Sequence, residues 1–494
     1  MLKTAISLHR LLAWFAGIGL LVWGLSGLLH PLMTTFGPQQ LVYRAPAAAL
    51  ALEGMLDAGE ILRRAGIDNA VAVQMVVTGH GNVLQVTESS LAPRRYFDVH
   101  SGEELADHDR RYAEYLARHY LGAQVEPMPV QAISLQDHFD LEYPQVNRLL
   151  PVWRIDFEGD GHLTAYVHTE TASLAAVNDD FKRVMQTGFQ WFHTWDWMPD
   201  RTGWLRVALT TLLVGSIFCL CISGVVMLLR IHRKGTAPGL RGWHRIGAWM
   251  LVLPVFMLSG SGLYHLWLMA IDPPQSFLRH GAPLDLAGVS LPLGTQWREV
   301  TEGLPVDRLS LVRNAEGELL YRLGLSAQGS APEGEKAIRN ARFDGVPATG
   351  PALYLDAMTG QPWQPGDREL ALQIAEYAIG LPRSAVTESS LLTRFGVDYD
   401  FRNKRVPVWR LSYGEPHNIA YFVDTATGVL VDAVESHEQP ERLSFSLLHK
   451  WSFLMMIGRD VQNVAISVAV VAAIGFLAIP GLLMRWRRRV GSAL

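Results

Sequence analysis

A histidine spacing of 21 residues occurs twice in this chain. His9 and His30 bracket one apolar stretch, and His244 and His265 bracket another. The neighbours agree at an offset of 235: His9-Arg10 with His244-Arg245, Ala13-Trp14 with Ala248-Trp249, and Ser26-Gly27-Leu28 with Ser261-Gly262-Leu263. A second register runs at an offset of 256, pairing Pro151-Val152-Trp153-Arg154 with Pro407-Val408-Trp409-Arg410 and His193 with His449. The chain therefore reads as helix, large segment, helix, twice over. A bilayer penalises polar side chains, so histidines that recur at the edges of apolar helices mark a functional site.

Four stretches are apolar over roughly the 20 residues a bilayer core requires: 8–29, 204–229, 246–269 and 461–484. The first is not read as a cleaved signal peptide, because its counterpart lies inside the chain. Apolar residues make up 49% of the 494, which suits a few spans carrying large water-exposed segments. Lys3 and Arg10 precede the first span, and Arg230, Arg233, Lys234, Arg241 and Arg245 fill the loop between the second and third. Arg485, Arg487, Arg488 and Arg489 follow the fourth. The positive-inside rule places these clusters, and both termini, in the cytoplasm. The expected division is 1–30 (first span), 31–186 (outer domain), 187–233 (interfacial pre-helix and second span), 234–245 (cytoplasmic loop), 246–269 (third span), 270–443 (outer domain) and 444–494 (pre-helix, fourth span and basic tail).

Several functions are excluded. A net charge of −4 and the lack of a basic aromatic stripe leave no nucleic-acid signal. Cys219 and Cys221 are two apart on an apolar helix, where they do not face each other, so they read as small buried residues and not as a disulfide. CxxCH is missing, which excludes covalent c-type haem, and CxxC pairs, HExxH, GxGxxG and GxxxxGK[ST] are missing too. The short cytoplasmic loop leaves no room for a flavin or nicotinamide domain.

Each outer segment presents the same signals in order. A helical pattern (112–120, then 369–379) leads to Glu142-Tyr143 or Asp398-Tyr399. Alternating strands follow (152–157, then 408–411), and then a strand with a turn (166–168, then 421–424). Earlier, Tyr96-Phe97-Asp98 with Gly102 and Tyr354-Leu355-Asp356 with Gly360 share a strand–Asp–turn–Gly signature. Each segment is thus expected to hold two small α+β units. The second carries an insertion near 326–347, read as a surface loop. One turn has diverged: His168 and Ala172 stand where the later copy has Asp424 and Gly428.

Twenty-one residues of helix rise about 31 Å and rotate to about −60°, so each histidine pair spans the membrane on a similar side of its helix. Low-spin b-type haem takes two axial imidazoles, which suits histidines related by a pseudo-two-fold axis. On the cytoplasmic side the expected pair is His9 with His244, flanked by His232, with Arg10 and Arg245 available for propionates. On the outer side the choice among His30, His265, His193 and His449 stays open, as does the haem count, with two expected. His193 and His449 lie in aromatic pre-helices whose tryptophans read as an interfacial belt.

The "YFD…G" and "YFVDTATG" turns, the "PVWR" strands and the "HR…SGL" helices resemble those of PepSY-associated transmembrane proteins over essentially the whole chain. That resemblance implies an α+β membrane protein with four transmembrane helices and two periplasmic PepSY-like domains in the inner membrane. It further implies a haem oxidoreductase that reduces Fe(III)-siderophores, drawing electrons from membrane quinol or a separate reductase. Trp195, Trp197 and Met198 are then candidate substrate contacts. A haem-free PepSY interaction protein and a metal permease are the rival readings. The permease is disfavoured because no span carries Asp or Glu in its middle.

Overall fold

In a computed structural model the described residues are 2–46, 48–79, 81–198, 203–231, 239–273, 279–325 and 351–490. The expected insertion and His232 lie outside them. In chain order the elements begin with α1 (Leu2–Phe36), α2 (Ala58–Arg64), β1 (Asn69–Ala70), β2 (Ala72–Thr78), β3 (Gly81–Thr87), β4 (Arg95–Asp98) and α3 (His108–Leu121). Then come β5 (Val130–Gln136), β6 (Val152–Phe157), β7 (Thr164–His168), β8 (Ser173–Asn178), α4 (Asp180–Phe192), α5 (Trp204–Arg230) and α6 (Leu240–Ile271). The second half continues with β9 (Leu284–Asp285), α7 (Trp297–Val300), β10 (Val306–Arg313), β11 (Leu319–Leu325), β12 (Leu353–Asp356) and α8 (Gly366–Ile379). It closes with β13 (Val386–Leu392), β14 (Val408–Tyr413), β15 (Ile419–Asp424), β16 (Val429–Glu435), α9 (Gln439–Ser444), α10 (Arg459–Ala473) and α11 (Ile479–Val490).

Two compact units result. One comprises Met1–Gly37, Asp180–Pro274 and His437–Leu494, the other Pro38–Asp179 and Gln275–Ser436.

The first unit holds four helical segments that are long and apolar enough to cross a membrane: Leu2–Phe36, Trp204–Arg230, Leu240–Ile271 and Arg459–Arg487. Each contains an expected span and extends beyond it. The fourth is not uniform. A π-helical turn over Ile474–Ala478 joins α10 to α11, and Pro480 follows it. Proline supplies no N–H to the helix, so the ladder must shift register just before it. At the mid-depth of the four helices Ala16, Ile217, Cys221, Leu251, Val255 and Ala473 form a buried apolar cluster. Cys221 is thus a packing residue, and neither cysteine is in a disulfide.

The second unit departs from two self-contained domains. The first sheets of the two segments join in one six-stranded antiparallel sheet of order β12-β11-β10-β2-β3-β4, in which Leu309, Ser310 and Leu311 pair with Met75, Gln74 and Val73. Its apolar face is shared: Ile61, Val73, Leu84 and Phe97 lie in one buried cluster with Leu291, Leu309, Tyr321 and Leu355. A three-stranded meander has little apolar area to bury and an unpaired edge, and joining two meanders relieves both deficits.

The remaining strands form two four-stranded sheets, β5-β6-β7-β8 and β13-β14-β15-β16. The expected alternation holds, since β6 and β14 bury the same positions of VWRIDF and VWRLSY. Helix α3 lays Tyr112, Ala113, Leu116, Ala117 and Tyr120 into the first core, and α8 lays Leu370, Ala371, Ile374 and Ala375 into the second. A buried carboxylate near the N-terminus of each helix ties it to the strands. Asp109 accepts from Trp153 Nε1 (2.7 Å) and Tyr96 OH (2.7 Å), while Asp367 accepts from Trp409 Nε1 (2.8 Å) and Tyr354 OH (2.5 Å). The helix dipole favours negative charge at those positions.

Buried charges fasten the two segments. Glu170 accepts from Arg279 Nη1 (2.5 Å) and Arg405 Nη2 (2.8 Å), and Arg405 also reaches Asp424 at 2.8 Å. Arg148 bridges to Asp432 at 2.9 Å. Burial by itself would raise Glu170, yet Arg279, Arg405 and Arg94 hold it well below the usual carboxylate range. Burial, then Arg94, keeps His168 neutral.

Candidate haem-binding histidine pairs

The membrane unit brings four histidines together as two pairs. His9 on α1 and His244 on α6 have ring centres 6.2 Å apart with planes at 81°. His193, just beyond α4, and His449, on the π-helical turn Phe445–His449, have ring centres 6.5 Å apart with planes at 69°.

Each ring is positioned through its Nδ1 side. His9 Nδ1 lies 3.1 Å from Ser223 Oγ, His193 Nδ1 lies 3.1 Å from Ser26 Oγ, and His449 Nδ1 lies 3.3 Å from Ser261 Oγ and 3.2 Å from the Leu258 carbonyl. The serines are themselves anchored, Ser26 to the Val22 carbonyl (2.7 Å) and Ser261 to that of Met257 (2.6 Å). The position facing His244 is taken by Pro480-Gly481 instead of Ser-Gly. There Nδ1 is buried beside the carbonyls of Phe476 and Leu477 without a hydrogen bond of normal geometry. Among the described residues no Nε2 of the four has a hydrogen-bond partner.

A glycine faces every ring. A Cβ on Gly27 would lie 3.5 Å from His193 Cε1, on Gly262 3.4 Å from His449 Cε1, on Gly481 3.6 Å from His244 Cε1 and on Gly224 4.0 Å from His9 Cε1. Any side chain longer than alanine would run into the imidazole.

The His193–His449 pair is presented by strained turns. Trp195 and Trp451, each two residues after a histidine, adopt φ of 55° and 51°. Each indole donates back to a carbonyl three residues earlier, Phe192 at 3.1 Å and Leu448 at 3.0 Å. Left-handed backbone at a bulky residue costs about 1–3 kcal/mol and concentrates at functional sites. The same turns set the pre-helices off from α5 and α10.

The other expected ligands are placed differently. His30 packs on Phe189 (5.9 Å), which stacks on His193 (4.6 Å), and His265 packs on Phe445 (4.2 Å), which stacks on His449 (4.7 Å). His265 Nδ1 also bonds Glu441 Oε1 at 2.7 Å. His30 and His265 therefore stand one ring behind His193 and His449. Of the four candidates left open by the sequence, His193 and His449 are the two whose rings meet. Arg10 is exposed, and Arg245 is half-buried with Nη2 3.4 Å from the Ile231 carbonyl. Trp195 lies against Trp23 (5.2 Å) and Trp197 (6.2 Å).

The chemistry of the donor set fits haem iron. Two coaxial imidazoles on one metal, at ~2.0–2.1 Å per bond plus the radius of each ring, have centres roughly 6.3 Å apart. Both observed separations lie within 0.2 Å of that value. Holding Nδ1 and leaving Nε2 open is the tautomeric arrangement of a ligating histidine. Among the described residues no cluster of three or more His, Cys, Asp or Glu side chains suits a bare metal ion. The serine and glycine partners were legible only as small residues, since nothing in the sequence says which histidine each would face. Compared with known proteins, the chain matches no family model and no curated protein.

Proposed function

We propose that this chain is a b-type haem protein of a bacterial inner membrane that passes electrons across the bilayer to a periplasmic acceptor. The observation that carries the reading is the pair of bis-imidazole sites, each with Nδ1 engaged or buried, Nε2 open and a glycine facing the ring. His9 with His244 would hold one haem, and His193 with His449 the other. Bound haem would supply a one-electron centre at each site.

The protein's own residues do the rest. Ser223, Ser26 and Ser261 fix the ring orientations. Gly27, Gly224, Gly262 and Gly481 keep the space beside the rings clear. The cluster of Ala16, Ile217, Cys221, Leu251, Val255 and Ala473 keeps water out between the two sites. His9 and Ser26, which mark the two sites on α1, are 17 residues apart, about 26 Å of helix. The sites therefore stand near opposite faces of the membrane.

The PepSY resemblance favours an Fe(III)-siderophore as the outside acceptor. One electron converts chelated Fe(III) to Fe(II), which hard oxygen ligands hold less tightly. Quinol or a separate reductase would be the donor. The basic flanks favour cytoplasmic termini and a periplasmic second unit. The doubled sequence registers, repeated in the histidine, glycine and tryptophan geometry, favour an internal duplication.

A pyridine haemochrome assay on the detergent-purified full chain tests the proposal. Two haems b per chain are expected. A protein that stays colourless when expressed with ample haem would overturn the reading and favour a haem-free interaction protein.

A further inference from the structure

Each turn that presents the His193–His449 pair is held from the membrane helix that follows it. Thr194 and Lys450 come directly after the two histidines, just beyond α4 and the π-helical turn Phe445–His449. Carbonyls at a helix end lack an intrahelical partner. Here each is met by a side chain from the first turn of the next long helix. Arg206 Nη1 on α5 donates to the Thr194 carbonyl at 2.9 Å, and Gln462 Nε2 on α10 donates to the Lys450 carbonyl. Each donor follows its histidine by 13 residues, and the offset of 256 that relates His193 to His449 relates Arg206 to Gln462.

The bonded carbonyl belongs to the peptide that joins the histidine's neighbour to the left-handed tryptophan, Trp195 or Trp451. Backbone in that region persists only where its surroundings over-determine it. The clamp pins that peptide. Gln462 is buried and Arg206 half-buried. The residue types differ, a guanidinium in one half and a carboxamide in the other, so what the halves share is an N–H donor on a long side chain and not a charge. Another contact to these turns is not shared. Trp23 Nε1 donates to the His193 carbonyl at 3.1 Å, whereas Leu258, equivalent at the offset of 235, has no side-chain donor.

We propose that Arg206 and Gln462 are the positioning residues of the His193–His449 site. Each pins the turn that aims its imidazole, and Arg206 acts through its N–H donor rather than its charge. The inference rests on the haem reading of that pair. Removing an outer partner of a metal ligand typically weakens the site about 10–100-fold.

Low-temperature electron paramagnetic resonance and haem competition with apomyoglobin, both on the detergent-purified full chain, test it. The g-values of a low-spin bis-histidine haem follow the angle between its imidazole planes, so they report ligand orientation directly. Arg206→Met and Gln462→Met keep an unbranched side chain and remove the donor. Each should shift the signal of the His193–His449 haem and weaken its retention about 10–100-fold. The His9–His244 haem in the same samples should be unchanged, which also reports that the membrane unit is folded. Arg206→Gln supplies the donor of the other half and should keep the wild-type signal and retention. Wild-type behaviour in both methionine variants, an equal change at both haems, or an Arg206→Gln signal matching that of Arg206→Met would each overturn the inference and leave the haem reading standing. A wild type without haem would overturn that reading, and this role with it.

Discussion

At the level of single residues, the six expected ligands separate into two kinds. His9, His244, His193 and His449 form pairs, whereas His30 and His265 pack behind phenylalanines. Alanine at any of the first four should remove one haem of two in the haemochrome count. His30→Ala and His265→Ala should retain both; loss of a haem from either would show that the pairing is wrong. The diverged turn also resolves at this scale. Ala172 takes φ 47° where Gly428 takes 66°, so the turn keeps its shape without its glycine. His168 replaces the aspartate: its Nδ1 meets Thr171 Oγ1 at 2.8 Å and its Nε2 faces Arg94 Nη2 at 3.0 Å. Only a neutral imidazole accepts from that guanidinium. Because burial and Arg94 depress its pKa, its contribution is full above about pH 6.5 and is lost as pH falls, when the unfolded chain alone takes up the proton. The arginines depress Glu170 as well. Its contribution is full above about pH 4.3 and is lost as pH falls toward the folded value. Glu170→Gln should cost roughly 3–5 kcal/mol at pH 7, and its deficit against wild type should shrink in thermal melts below about pH 4. A deficit constant with pH would remove the linkage.

At the level of elements, the helices matter for what they leave bare. Gly27 and Gly262 follow Ser26 and Ser261 on α1 and α6, so one helical turn carries both the hydroxyl that positions a ring and the gap beside it. Gly27→Leu should abolish the outer haem, leave the inner one and keep helical circular dichroism unchanged. Retention of two haems would show that the gap is packing alone. The π-helical turn before Pro480 has an equivalent role for His244, whose facing glycine follows that proline. Pro480→Ala lets the ladder close as an ordinary α-helix. It should shift the reduced α-band of the inner haem while leaving the outer band in place. The histidine spacing and apolar runs made these helices legible. The π turn was not, because a one-residue shift in a hydrogen-bond ladder leaves no mark on hydropathy.

At the level of the whole molecule, the six-stranded sheet constrains topology. β2 and β10 come from different long segments and hydrogen-bond to each other, so both segments must lie on one side of the membrane. An even number of crossings between them satisfies this, and α5 and α6 provide two. With Cys219 and Cys221 replaced by serine, His162→Cys should react with a membrane-impermeant maleimide in intact spheroplasts, and Arg487→Cys only after permeabilisation. The reverse pattern would invert the proposed orientation.

The sequence by itself determined the local and periodic features. Apolar runs long enough for a bilayer, alternation in VWRIDF and VWRLSY, and the apolar stripes of α3 and α8 depend on residues close in the chain, and each formed where expected. The histidine inventory was equally legible, because repetition at a fixed offset needs no coordinates. Only the tertiary structure decided which histidines meet, since His193 and His449 are 256 residues apart and a phenylalanine ring separates each from its rival. It also decided that two meanders merge into one sheet: strand edges find partners through space, and a backbone edge carries no sequence label.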